Sequence, residues 1–398
     1  MARKRRTDRW QIPPYWLDRL TANGTPCRLT SDSTILEAVE CALAFTILEQ
    51  AYLQHARIPL ITHQTWRSLN TESWSDAIRA GVERWLEFAK GEADIDGPEM
   101  AWFLWDDDGI DMLTKSFAAD IYEDVQRLPY PVEKADVFRV LVVKWFGGIY
   151  ADVDATPLKH PFGWVLDSDI TPWTDASSST EMTLHMPSSH ETALPGNATS
   201  TYEALLASAD LPSRSKPSVH AIFGIEADNP PEPDPTYWRM GYSHPVQVTN
   251  WALAMAPHHA VADQFLNTLI EDIRQNSGNL LAIDPLDITG PPALTRAIQA
   301  VAHRENPSLS WDSLSANGDP IGGRGKIVAG DALVLPITGF NPGRGWFQNM
   351  GSKSIEHPNA RLWHAAAGSW RKMDLKVQVG KLCRSTLGFC RGWRKIPG

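Results

Sequence analysis

Residues 147–159 read GGIYADVDATPLK, and the two aspartates in this stretch, Asp152 and Asp154, are separated by one residue. Carboxylates so spaced at the end of a strand can hold a divalent cation, Mn2+ or Mg2+, and leave coordination positions open for the oxygens of a diphosphate. That suits a reaction in which a group departs from a diphosphate and negative charge builds on what remains. The run Asp-Val-Asp-Ala-Thr also fits phosphatases whose first aspartate is a nucleophile and whose second is an acid. Those enzymes want a later Gly-Asp followed by a further acid, and GDALVL at 330–335 lacks it.

The elements around the pair determine where it can sit. KADVFRVLVVKWFGG, 134–148, predicts a helix that is apolar nearly all round and therefore buried. Asp136 and Arg139 stand three residues apart on it and share a face. Burying them costs desolvation unless they bond to each other or to a polar ligand. Gly147 and Gly148 end the helix. The following strand, IYADV, places Tyr150, Asp152 and Asp154 on one side.

Upstream, IPLITHQTW from Ile58 predicts a strand with Trp66 just beyond it. SWSDAIRAGVERWLEFA predicts a helix capped by Ser73, and MAWFLW a buried strand. Strand, helix, strand indicates an α/β domain with a parallel sheet, whose ligands bind outside the carboxyl ends of the strands. WDDDG at 105–109 is read as a strand-end loop. Glu226 and Asp228 in GIEAD stand beside a turn-rich stretch, 226–235, where an acid could meet an acceptor or an oxocarbenium-like transition state. WALAMAPHHAVADQFLNTLIEDI and GPPALTRAIQAVAHR both read as helical.

The 398 residues are 43% hydrophobic and 21% charged, enough for a sizeable core. A net charge of -10 excludes a general nucleic-acid binder. The ends are basic nonetheless: MARKRR opens the chain, and residues 371–395 carry eight Lys and Arg against Asp374 alone. The best membrane candidate, 35–53, is interrupted by Glu37, Glu40 and Glu49 and reads as an amphipathic helix. No signal peptide or anchor is legible. Cys27, Cys41, Cys383 and Cys390 lack zinc spacing and settle no redox compartment. The sequons at Asn23 and Asn197 hint at a secretory lumen.

ADVFRVLVVKWFGGIYADVD resembles the A-D-x-x-R…G-G-x-Y-x-D-x-D block of the family-32 glycosyltransferases, a block that the glucosylating clostridial toxins share. Within that family the chain is similar to the fungal initiation-specific α-1,6-mannosyltransferase group. IPLITHQTW, GIEAD, GYSHPVQVTNWALAMAP, TGPPALTRAI, GDALVLPITGF and HAAAGSW carry that likeness over about 58–370.

The resemblance implies an α/β GT-A fold, Rossmann-like, with a mostly parallel central sheet flanked by helices. It implies an N-terminal appendage (1–57), a catalytic domain (58–372) and a basic tail (373–398). It implies metal-dependent, retaining transfer of a hexose from a nucleotide-sugar donor, GDP-mannose ahead of a UDP-sugar, to a glycan acceptor. A protein N-glycan is favoured as acceptor over an inositol phosphosphingolipid. By position, Asp152, Asp154 and His364 would hold Mn2+ or Mg2+. Asp136, Arg139, Tyr150, Trp66, Ser369 and Trp370 would meet the donor, and Glu226 would serve in catalysis. Residence in the Golgi, on its membrane or in a glycosyltransferase complex, follows from the same likeness. The alternative of another class is a sugar-binding subunit without transfer, against which the intact Asp136, Arg139, Asp152 and Asp154 speak.

Overall fold

A computed structural model describes residues 9–25, 27–92, 94, 96–170, 218–229, 234–276, 278–307, 315, 324–344, 349–365, 374–393 and 395. The apolar run after Ile58 forms a strand over Ile61–Thr65 (β2), and the aromatic run forms Ala101–Trp105 (β3). They pair in parallel, Ile61 beside Ala101 through Thr65 beside Trp105. Between them lies α3 (Asp76–Lys90), which starts two residues later than expected because the Ser75 side chain accepts from the Ile78 amide. Gly91, at φ 65°, ends it. After β3, Asp106 caps α4 (Asp107–Phe117), so the acidic run is a helix start rather than a loop.

The predicted buried helix is α6 (Pro131–Phe146), opened by Pro131 and by Glu133, which accepts from the Tyr130 amide at 2.9 Å. Gly147 (φ 64°) and Gly148 (φ 91°) turn the chain into β4 (Gly148–Ala151), which runs parallel to β2. A Cβ at Gly148 would lie 2.4 Å from the Ile61 carbonyl oxygen, so only glycine lets the two strands close.

The main sheet has eight strands. Besides those named it contains β1 (Trp10–Gln11), β6 (Ala221–Asp228), β7 (Val246–Met255), β8 (Lys326–Val328) and β9 (Ala332–Leu335), in the order β1-β3-β2-β4-β7-β6-β9-β8. The pairings point β2, β3, β4, β6 and β9 one way and β1, β7 and β8 the other. A small second sheet joins β5 (Ala155–Pro157) antiparallel to β10 (Leu362–His364). Helices α7 (Ala260–Gln275), α8 (Pro285–Thr289) and α9 (Pro291–Glu305) complete the packing around the sheet. This is the expected α/β architecture, with most strands aligned.

Two expectations are corrected. The stretch from Trp251 is not one helix: residues through Met255 complete β7, every residue of which is buried, and His258 (φ 58°) turns the chain before α7 begins. Nor do residues 9–57 stand apart. β1 extends the sheet, α1 (Pro14–Ala22) and α2 (Ile35–Leu48) pack on it, and Trp16 stacks on Phe45 at 4.3 Å. α2 buries ten of its fourteen residues and leaves only a narrow polar edge at Glu37 and Glu40; Glu37 also forms a capping box with Thr34. Among the described residues no helix is long and apolar enough to cross a membrane.

Candidate active site

Asp152 and Asp154 follow β4 at its carboxyl end, near the middle of the sheet. The turn is fixed from several sides. The Asp152 amide donates to the Trp251 carbonyl at 2.8 Å, and the Ala365 amide donates to the Asp154 carbonyl at 3.0 Å. Gln64 Nε2 donates to the Asp152 carbonyl at 3.3 Å. The last contact comes from the neighbouring parallel strand.

Pairing of β10 with β5 places His364 beside Ala155 and brings its Nε2 to 3.1 Å from Asp154 Oδ1. The indole of Trp251 stacks on the imidazole at 4.3 Å between ring centres, fixing its plane. Asp152, Asp154 and His364 each offer a ligand atom, and these atoms lie within 4.8 Å of one another. Two carboxylates and an imidazole so gathered fit Mn2+ or Mg2+ with positions left open.

Behind this trio is a buried polar network. Arg139 binds Asp136, reaches Asp152 with Nη2 at 3.1 Å, and donates from Nε to the Tyr150 hydroxyl at 3.3 Å. Tyr150 donates to Asp152 Oδ1 at 2.7 Å. Asp136 also accepts from Asn250 Nδ2 and from the Thr289 hydroxyl, both at 2.9 Å. Burial pushes the Asp136 carboxyl up to about 6, against the pull of Arg139 and Thr289. Burial works against the Arg139 charge too, but Asp152 and Asp136 outweigh it and hold the guanidinium protonated. Tyr150 is raised well above the usual phenol range by burial and by Asp152, and stays neutral.

The trio opens onto a cleft of about 570 Å3 lined by Trp66, Arg67, Asp107, Lys134, Arg139 and Tyr150 among others. Trp66 sits at the end of β2, with the Arg67 guanidinium 5.5 Å over its ring. The cleft thus has an aromatic wall, cations and a carboxylate floor.

The structure therefore gathers Asp152, Asp154, His364, Arg139, Tyr150 and Trp66 around one cleft. Asp136 is only 4% exposed and is not among the lining residues; both its oxygens are engaged. Glu226 is set apart: it lies on β6, beyond β7 from the aspartates, and accepts from Gln247 Nε2 at 2.7 Å. Nor is it a loop acid, since β6 runs through Asp228. Ser369 and Trp370 lie outside the described residues. Asn250, Thr289 and Trp251 were not singled out from the sequence. The only signal for them was that each falls inside a stretch that carries the family likeness.

Residues 83–178 match the family model described as a glycosyltransferase sugar-binding region containing a DXD motif. The chain is 28% identical over 346 residues to the initiation-specific alpha-1,6-mannosyltransferase of Schizosaccharomyces pombe, covering 84% of this chain and 69% of that one. It is 24% identical to the protein of the same name from Candida albicans, over 75% of this chain and 71% of that one. A shorter stretch, 28% of this chain and 30% of the other, is 31% identical to inositol phosphoceramide mannosyltransferase 3 of Schizosaccharomyces pombe. These matches bear out the resemblance read from the DXD block: the chain is a glycosyltransferase, and the phosphatase reading falls away.

Proposed function

We propose that the protein transfers mannose from GDP-mannose to a glycan acceptor with retention at the anomeric carbon, using Mn2+ or Mg2+ held by Asp152, Asp154 and His364. The observation that carries this is the meeting of those three side chains at the carboxyl end of β4, at the cleft into which Arg139 and Trp66 also face. A divalent cation there would neutralise the diphosphate as its bond to the sugar breaks.

The chain's own groups do the rest. Arg139 and Tyr150 orient Asp152 from behind, and Trp251 holds the His364 ring in plane. Asp136 acts through Arg139, since its oxygens are taken up inside the protein. Trp66 at the end of β2 offers the face on which a base can stack, with Arg67 beside it.

Mannose, and an N-glycan as acceptor, are favoured because the likeness to the initiation-specific alpha-1,6-mannosyltransferases runs along most of the chain, whereas that to the inositol phosphoceramide enzyme covers 28% of it. A Golgi lumen is consistent with the pairing of all four cysteines, Cys27 with Cys41 and Cys383 with Cys390, which an oxidising compartment permits. The first test is calorimetric binding and turnover of a panel of nucleotide sugars, with Mn2+ and with chelator. Metal-dependent binding of GDP-mannose, lost in Asp154→Ala, is the expected outcome; Asp154→Ala turning over as the wild type would sink the metal assignment. Binding of no donor at all would leave a sugar-binding subunit as the better reading.

A further inference from the structure

The end of the chain carries a surface that the transfer reaction does not use. Helix α10 (Leu375–Leu382) continues into a single wide turn, Cys383–Leu387, closed by the Cys383–Cys390 disulfide. Its inner face is Val377, Gly380 and Arg384, all buried, and Arg384 Nη1 donates to the Trp393 carbonyl at 3.1 Å. At 3.6 residues per turn, Leu375, Val379 and Leu382 stand in a stripe on the opposite side. That outward stripe is apolar where a surface helix is ordinarily polar.

Beyond the helix the segment exposes three more large apolar side chains, of which Trp393 lies against the inner face, beside Gly380. Among the described residues eleven large apolar side chains are exposed, and six of them are Leu375, Val379, Leu382, Leu387, Phe389 and Trp393; the other five are scattered along the chain. Leu375 is 72% and Phe389 69% exposed. Single exposed apolar residues are ordinary, but three in one helical stripe, followed by further exposed ones, mark a surface that wants a partner. Lys376 and Lys381 flank the helical stripe on its two sides, and both are exposed. The segment is basic on a molecule whose net charge is -10.

The unit is not a loose tail. Lys395 binds Asp287 at 3.2 Å, and its amide donates to Asp284, the cap of α8. The last residue of α8 is Thr289, which holds Asp136.

We propose that this disulfide-closed unit docks the protein on an anionic lipid surface, with Leu375, Val379, Leu382 and Phe389 in the headgroup boundary and Lys376 and Lys381 on the phosphates. An apolar face of Leu, Val and Phe flanked by Lys376 and Lys381, on an otherwise acidic protein, is the composition of an interfacial anchor. Charge decides the choice of partner: neutral lipid would leave the basic side chains unused, and a second copy packed face to face would set Lys376 and Lys381 against the same lysines. The inference stands independently of the donor and acceptor.

The test is flotation of the full chain, disulfides intact, with phosphatidylcholine vesicles and with vesicles that also contain phosphatidylserine, at low and high salt. Expected is binding to the phosphatidylserine vesicles that weakens with salt. It should drop about tenfold or more in a Leu382→Gln, Phe389→Ser variant and in a Lys376→Glu, Lys381→Glu variant, each basic side chain near the surface being worth about 1 kcal/mol. Turnover of soluble donor should stay unchanged in both variants, showing that they fold. Failure of the wild type to float, or flotation of either variant equal to that of the wild type, overturns the proposal. So does sedimentation showing a wild-type dimer that the Leu382→Gln, Phe389→Ser variant dissolves, since a second copy would then cover the patch.

Discussion

Asp136 takes bonds from three residues far apart in the chain, Arg139, Asn250 and Thr289. Its charge at neutral pH is held by that set, because burial alone would keep it protonated. Removing one donor should therefore be felt. In Thr289→Val the carboxylate keeps Arg139 and Asn250 but loses a hydroxyl, at a cost of about 1–3 kcal/mol. We expect that loss in urea denaturation, together with weaker donor binding by calorimetry, since Arg139 is positioned by Asp136 and itself faces the cleft. Unchanged stability and affinity would mean that a water takes over the role of the hydroxyl. The pairing of Asp136 with Arg139 was legible from their i,i+3 spacing on an apolar helix. Asn250 and Thr289 were not, because nothing local in a chain announces a contact over 114 or 153 residues.

Among the elements, α3 approaches the aspartate turn more closely than any residue but glycine allows. A Cβ at Gly81 would lie 2.2 Å from the carbonyl oxygen of Val153, the residue between Asp152 and Asp154. Four residues on, Trp85 Nε1 donates to the Ala155 carbonyl at 3.0 Å, so one face of α3 grips the whole turn. Gly81→Ala must push the helix back or shift the turn. Overpacking of this kind costs about 1–3 kcal/mol, and a displaced ligand pair should lower Mn2+ affinity by about tenfold or more. Calorimetry with Mn2+ on the folded variant measures it; wild-type affinity would show that the turn tolerates the shift. The helix itself was readable from its apolar spacing, but Gly81 looked like any mid-helix glycine, since its reason lies in another element. β7 is hidden for a related cause: it is buried on both faces, its alternation stops after Val246–Thr249, and the continuous apolar run Trp251–Met255 merges with the helix after it. Pro257 was the available sign of the break.

Across the whole molecule, stability should depend on pH through two buried histidines, His63 and His160, and the half-buried His244. His63 accepts from Trp105 Nε1 at 3.3 Å and bonds the Gly147 carbonyl through Nε2 at 3.0 Å, which only the neutral ring can do. Burial lowers it to about 3, and lowers His160 and His244 to about 4. Unfolded, each titrates near its ordinary value of about 6.5. The unfolded chain therefore takes up protons that the folded one refuses, so the stabilisation is full above about pH 6.5 and drains away toward about pH 4. At pH 5 each histidine should have lost about 2 kcal/mol. Asp136 works the other way, because its raised carboxyl accepts a proton in the folded state below about 6, returning about 1 kcal/mol at pH 5. Burial raises Glu40, Asp107, Asp272, Asp284 and Glu305 in the same sense by smaller amounts, which trims the fall without reversing it. Urea midpoints at about pH 7.5 and pH 5 measure this, and a midpoint that holds or rises on acidification would show that these rings are not kept neutral by the fold. His160→Gln assigns the share of one ring. Glutamine can still accept from the Phe162 amide but does not titrate, so its midpoint should fall less between the two pH values than that of the wild type.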